Sequence, residues 1–299
     1  MALTVATPRR GDARRARRLG KILTTVVLVA ASLAIAIPVV WVLVASLKQK
    51  GEFYGSPWTL PETAFWQNFA DAFIDAEMGR YFLTSILVVA LALVLCLVIS
   101  VPAAYALARF DFRGKAILET LLLGGLFINV NYIVVPIFLM LIGWDRALRG
   151  MLPGGFFINN PVMLAVVYAA TSIPFTVYLL ATYLRTVPTV YQEAAVLDGA
   201  SRLRIMVSVI IPMALPAINT AILFNFLSFW NDFIISLTLM PGENKTIQVG
   251  LLNLFTAQKA AADYGRLYAG MVIVMVPALI LYALVQKRLL QGVSTAADK

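Results

Sequence analysis

The 299-residue sequence contains no histidine and a single cysteine, Cys96, and only 13% of it is charged. Each shortage removes a class of function. Without histidine there is no imidazole to act as a general base or a metal ligand. Neither a metal-ligand cluster nor a G-x-S-x-G nucleophile elbow occurs, so the chain has no candidate catalytic or metal-binding residues. One cysteine excludes an intrachain disulfide. Cys96 falls inside an apolar run, where it reads as a small buried apolar residue. The G-x-x-x-x-G-K-[ST] phosphate loop is also missing, so any work drawn from ATP must come from another chain. No internal repeat of fixed period is visible, and low complexity is confined to the basic N-terminus.

What is present is apolar. Apolar residues make up 61% of the chain, against ~45 to 50% in soluble globular domains. Six runs reach the ~20 residues that a helix needs to cross a bilayer: Ile22 to Leu47, Tyr81 to Ala108, Ala116 to Ile142, Pro161 to Leu184, Pro212 to Leu239 and Leu267 to Gln286. The expected fold is all-α, a polytopic membrane protein with six transmembrane helices. A basic N-terminal tail (1–21) precedes a six-helix membrane domain (22–286), and a C-terminal tail (287–299) follows it. The basic start followed by an apolar run is similar to a signal peptide. The run is too long for a typical ~7 to 15 residue core, which predicts a retained first helix.

The net charge of +9 does not point to nucleic acid, because the basic residues are divided among loops rather than gathered on one surface. Their division gives orientation. With the N-terminus in the cytoplasm, the inner segments hold sixteen Lys and Arg and the outer segments eight. That excess matches the positive-inside rule and puts both termini in the cytoplasm.

The outer segments, Lys48 to Arg80, Gly143 to Asn160 and Met240 to Arg266, carry turn-forming stretches such as "GSPWTLPE" and "PGENK". They read as solvated connections or partner surfaces. The inner segment 185–211, with "YQEAAVLDGASRLRIMVSVIIP" at its centre, is too long for a plain turn and too polar to cross the membrane. Thr186 is a candidate cap and Pro188 a first-turn residue for a helix to about Leu197. Gly199 would end that helix in the left-handed conformation, and Ser201 would cap a second one. Val190, Ala194 and Leu197 form an apolar stripe that also fits a helix lying on the membrane, and Asp198 is placed to pair with Arg202.

Glu193, Ala194, Ala195 and Gly199, followed ten residues later by Val209-Ile210-Ile211-Pro212, resemble the E-A-A, glycine, I-x-L-P signature of binding-protein-dependent ABC-transporter permeases. "PVVWVLVASLK" (38–48), "AAYALARFDFRGK" (103–115), "IPFTVYLL" (173–180), "FWNDF" (229–233), "KTIQVGL" (245–251) and the ending "LVQKRLLQGVSTAADK" are similar to the maltose-type carbohydrate branch. The resemblance implies a type I ABC importer permease fold in the cytoplasmic membrane of a bacterium. Two permease subunits would form the pathway, and two cytoplasmic ABC ATPases holding ATP and Mg would dock on their E-A-A loops. An extracellular solute-binding protein would deliver sugar. It assigns ATPase coupling to Glu193, Ala194, Ala195, Asp198 and Gly199, and binding-protein contact to Glu243, Asn244 and Lys245.

Polar residues inside a membrane face a cavity or another helix. Asn225, Ser228, Phe229 and Asp232 in the fifth run share a face by their spacing, as do Asn129 and Tyr132 in the third. Amides and a carboxylate for hydroxyls, with rings for an apolar sugar face, make a candidate sugar path. Helix–helix hydrogen bonding explains the same residues. An ion-coupled secondary transporter acting alone is the competing function. It would call for a relay of intramembrane acids or histidines, and the runs hold only Glu119, near the start of the third, and Asp232 in the fifth.

Overall fold

The computed structural model describes the backbone of residues 10–55, 58–151, 154–261 and 263–297, and side-chain surroundings for 18–54, 58–151, 154–257 and 263–284. Of the basic residues counted above, Arg9 and Lys299 lie outside the described residues. So do the side chains of Arg10, Arg14, Arg15, Arg17, Lys259, Lys287 and Arg288.

Six of the described helices are long and apolar enough to cross a membrane. They belong to α1 (Arg10–Ala45), α4 (Met78–Arg109), α6 (Val130–Ala147), α7 (Pro161–Thr186), the α9–α10 unit (Arg202–Ile205 and Ile211–Trp230) and α13 (Tyr264–Ala297). Between them lie α2 (Glu52–Gly55), α3 (Gln67–Phe73), α5 (Lys115–Leu126), α8 (Val190–Leu197), α11 (Ile234–Leu239) and α12 (Ile247–Ala261). α4 and α7 form the most extensive helix pair, and α10 packs on both. α1 meets the bundle at α13, and its residues 18–38 are exposed throughout.

The core has two centres. One gathers Met78, Tyr81, Val88, Leu164, Trp230, Ile247 and Leu267 near α12. The other gathers Tyr105, Leu107, Leu184, Ile205, Ile210 and Ala214 near α8.

Two expected spans are interrupted. The run from Ala116 to Ile142 is not one helix: α5 stops at Leu126, and Asn129 opens α6 by accepting the Asn131 N–H at 3.0 Å. Gly124 and Gly125, poor helix formers, precede the break. The run from Pro212 to Leu239 ends as a helix at Trp230, because the carboxylate of Asp232 accepts the Ser236 N–H at 3.0 Å and the Ile235 N–H at 3.5 Å and so starts α11 afresh. The outer segments are also more ordered than solvated connections. Asn68 of α3 donates to Ser46 O and Lys48 O, Asp145 accepts three backbone N–H groups from residues 156–158, and the Ile247 N–H donates to Ser85 Oγ at 2.7 Å.

Within 185–211, Thr186 does not cap a helix. It ends α7, its hydroxyl donating to Tyr183 O. Pro188 forces Val187 into extended backbone (ψ 127°), so the next helix starts at Val190. Gly199 sits at φ +76°, with Ala200 N–H donating to Ala195 O and Gly199 N–H to Val196 O, the left-handed stop that the sequence predicts. Ser201 Oγ accepts the Arg204 N–H at 3.4 Å and opens α9. Residues Met206–Ile210 then form a π-helical turn in which Ile211 N–H reaches back five residues to Met206 O. Pro212 explains the wide turn, because it has no N–H to continue an α-helical ladder and its ring would crowd the carbonyl four residues back.

Candidate functional site: a polar cavity and an exposed terminal helix

A cavity of about 390 Å³ opens between α6, α7 and α10. Five of the six residues expected on the sugar path line it: Asn129, Asn225, Ser228, Phe229 and Asp232. Tyr132 does not. The break before α6 puts it off the Asn129 position, and it is 83% exposed on the first turn of that helix. α7 contributes what the sequence reading missed, namely Tyr168, Thr171, Ser172 and Phe175. Their spacing of three and four residues was a visible signal.

The cavity wall is organised by hydrogen bonds that turn its one carboxylate inward. Asp232 Oδ2 accepts the Tyr168 hydroxyl at 2.7 Å as well as the Ser236 N–H. Tyr168 in turn stacks on Phe229, centroids 5.2 Å apart and rings 5° from parallel. Asn225, 2% exposed, donates from Nδ2 to Thr176 Oγ1 at 2.8 Å, and Cys96 Sγ joins the same cluster at 3.4 Å from Thr176. Cys96 is therefore buried as expected, although as a weak hydrogen-bonding partner between α4 and α7. Asp232 is the only acid and there is no Lys or Arg in the lining. The other polar groups are hydroxyls and amides, with rings beside them. That chemistry suits a neutral, many-hydroxyl solute more than an ion.

At the far end of the bundle, α8 projects. Val190, Tyr191, Val196 and Leu197 are exposed, Leu197 by 88%, and Glu193, Ala194 and Asp198 are exposed beside them. Ala195 is half-buried against the α8-side core. Asp198 makes no ion pair with Arg202, contrary to expectation. The Arg202 guanidinium lies 5.2 Å from the Phe110 ring centroid instead. The turn is held by Gly199 and the Ser201 cap, so it does not depend on that pair.

The residues expected to touch a binding protein lie at the opposite end. Glu243 and Asn244 both approach Arg80, at 3.7 and 3.3 Å. Lys245 N–H donates to Glu243 O, closing a tight turn before α12.

A bundle of membrane-length helices with a polar cavity and a helix protruding at one end has the architecture of a membrane transport subunit. The chain belongs to the family described as binding-protein-dependent transport system inner membrane component, whose model matches residues 98–295. It is 35% identical over 264 residues (88% of this chain and 84% of the relative) to the diacetylchitobiose uptake system permease protein NgcG of Streptomyces coelicolor. It is 26% identical to the trehalose/maltose transport system permease protein MalG of Thermococcus litoralis, over 93% of this chain and 98% of that one. A solved chain from a bacterial ABC transporter involved in the import of the acidic polysaccharide alginate superposes with a TM-score of 0.74 at 23% identity, covering 95% of this chain and 99% of that one. Membership of this family implies an ATPase and a solute-binding protein as partners.

Proposed function

We propose that this chain is the permease subunit of an ATP-driven importer that passes a sugar across the cytoplasmic membrane. It works beside a second permease subunit, over two ATPase subunits that hold ATP and Mg. α8 seats in the ATPase through Glu193, Ala194, Ala195, Asp198 and Gly199, and both chain termini lie on that cytoplasmic side. The binding protein meets the opposite end near Glu243, Asn244 and Lys245. Asn129, Asn225, Ser228, Phe229 and Asp232 line the sugar's path, together with Tyr168, Thr171 and Ser172. The observation that carries the reading is the pairing, in one chain without a phosphate loop, of a cavity lined by hydroxyls, amides and one hydrogen-bonded carboxylate with an exposed E-A-A helix. The names of the relatives supply the substrate class.

The test is uptake by vesicles holding the assembled complex, with labelled diacetylchitobiose, trehalose and maltose as probes. Uptake that needs ATP and disappears when the ATPase is omitted is expected. Uptake by this chain alone under a proton or sodium gradient would establish the secondary-transporter reading instead. In the same complex Glu193→Lys should reduce copurification of the ATPase. Orientation is read from cysteine placed at Glu243, which should label from outside intact cells, and at Ser201, which should not.

A further inference from the structure

Among the described residues, four buried side-chain polar atoms have no hydrogen-bond partner, and three of them, Tyr105 Oη, Arg109 Nε and Gln192 Oε1, lie where α4 ends against α8. Arg109 is the last residue of α4, and its Nη2 donates to Val187 O at 2.6 Å, at the extended residue that separates α7 from α8. Arg109 and Gln192 line one concavity of about 420 Å³ together with Glu193. An N–H donor and a carboxamide acceptor are thus shut away from water on the same concavity and left unjoined. Native interiors seldom tolerate this, because each group has lost its water without gaining a partner. A movement of α8 that joined them would give each atom the partner it lacks.

We propose that Arg109 is a two-position latch on this helix. Its Nη2 holds Val187 O in the arrangement seen here, and its Nε takes Gln192 Oε1 when the ATPase displaces α8. The proposal rests on the coupling role of α8 given above. Its consequence is that α8 drives α4 as well as α10. α4 lies along α7 and reaches the cavity wall, where Cys96 Sγ contacts Thr176 Oγ1 and Asn225 Nδ2. Arg109 is a positioning residue, since it touches neither solute nor nucleotide.

The test uses the assembled complex with Cys96→Ala, Arg109→Cys and Gln192→Cys in this chain, treated with a bis-maleimide about 8 Å long, since a hydrogen-bonded Arg–Gln pair holds its Cα atoms beyond the ~7 Å reach of a disulfide, either nucleotide-free or trapped with ATP and vanadate. The expected result is crosslinking at least about fivefold higher in the trapped state, the lower end of usual inter-site coupling. Equal yield in both states, or none in either, would overturn the latch. Arg109→Lys keeps the charge and has three donors on one ammonium, but loses the planar fork. It should assemble normally and retain basal hydrolysis while losing sugar-stimulated hydrolysis. A loss of assembly and hydrolysis in proportion would mean a purely structural arginine, and would also overturn the proposal. If the unmodified chain fails to copurify with the ATPase, the coupling role itself falls, a result separable from every outcome above.

Discussion

The α12 end and the α8 end of the bundle are built from similar materials, short helices and connecting turns, yet they are finished differently. At the α12 end the backbone of the connections is tied down. Ser85 satisfies Ile247, Asn68 holds Ser46 and Lys48, Asp145 gathers three N–H groups, and Arg266 bridges to Asp71 at 3.1 Å. Large apolar side chains stand in the open at both ends, Leu60, Trp66 and Ile74 at the first and Val190, Val196 and Leu197 at the second, but at the α8 end three buried polar atoms go unpartnered. The first end leaves one such atom, Arg266 Nε, on a guanidinium that already pairs with Asp71. The second, with three together, has the character of an interface whose other half is missing, since unjoined buried polar groups are what a partner or a movement satisfies.

The strongest way to break this contrast is at Gly199. No atom lies within 4 Å of where a Cβ would sit, so crowding is not the issue; the φ of +76° is. Gly199→Val should strain the turn by about 1 to 3 kcal/mol and turn α8 away from its seat. Membrane insertion is expected to survive and sugar-stimulated ATP hydrolysis to be abolished. Gly199→Asn, which tolerates the left-handed region, should retain most of it.

Next in size is Asp232→Ala, which strips the cap from α11 and leaves the buried Tyr168 hydroxyl unpaired. A loss of about 2 to 3 kcal/mol should appear in thermal unfolding in detergent, whereas Asp232→Asn should recover much of it. Full stability of Asp232→Ala would show that the carboxylate is free to meet solute.

Ser85→Ala tests the finished end. It leaves the Ile247 N–H buried and unpaired at a cost of about 1 to 3 kcal/mol, and faster proteolysis near α12 is the readout. Ile247 is fully buried, so deleting Glu243 to Ile247 would damage the core along with the turn. Alanine at Glu243, Asn244 and Lys245 is the cleaner probe of binding-protein contact. The smallest effect on folding belongs to Leu197→Ser at the other end, within about 0.5 kcal/mol, although copurification of the ATPase should still fall.

Much of this was legible in the sequence. Spans with long uninterrupted apolar runs, such as α4 and α7, begin and end within a few residues of their expected bounds. Gly199 and Ser201 behave as local chemistry dictates, because a glycine stop and a serine cap need only their own neighbours. What hydropathy could not show were breaks made by single polar residues inside apolar stretches. Asn129 and Asp232 look like side chains on a continuous helix, and each instead satisfies backbone N–H groups and starts a new one. The same blindness put Tyr132 on the sugar path. Tyr168, Thr171 and Ser172 were overlooked for another reason, since hydroxyls blend into an apolar run that amides and carboxylates interrupt.

The π-helical turn at Met206–Ile210 has a consequence far from where it lies. Holding one residue more than an α-helical turn, it sets everything after it back by about 100° around the axis and about 1.5 Å along it relative to an unbroken α-helix. The face that α10 shows the cavity is therefore set in phase some fifteen residues earlier. Asn225, Ser228 and Phe229 look inward because Pro212 made the turn wide, and an α10 wound in strict register from Ser201 would point those side chains elsewhere.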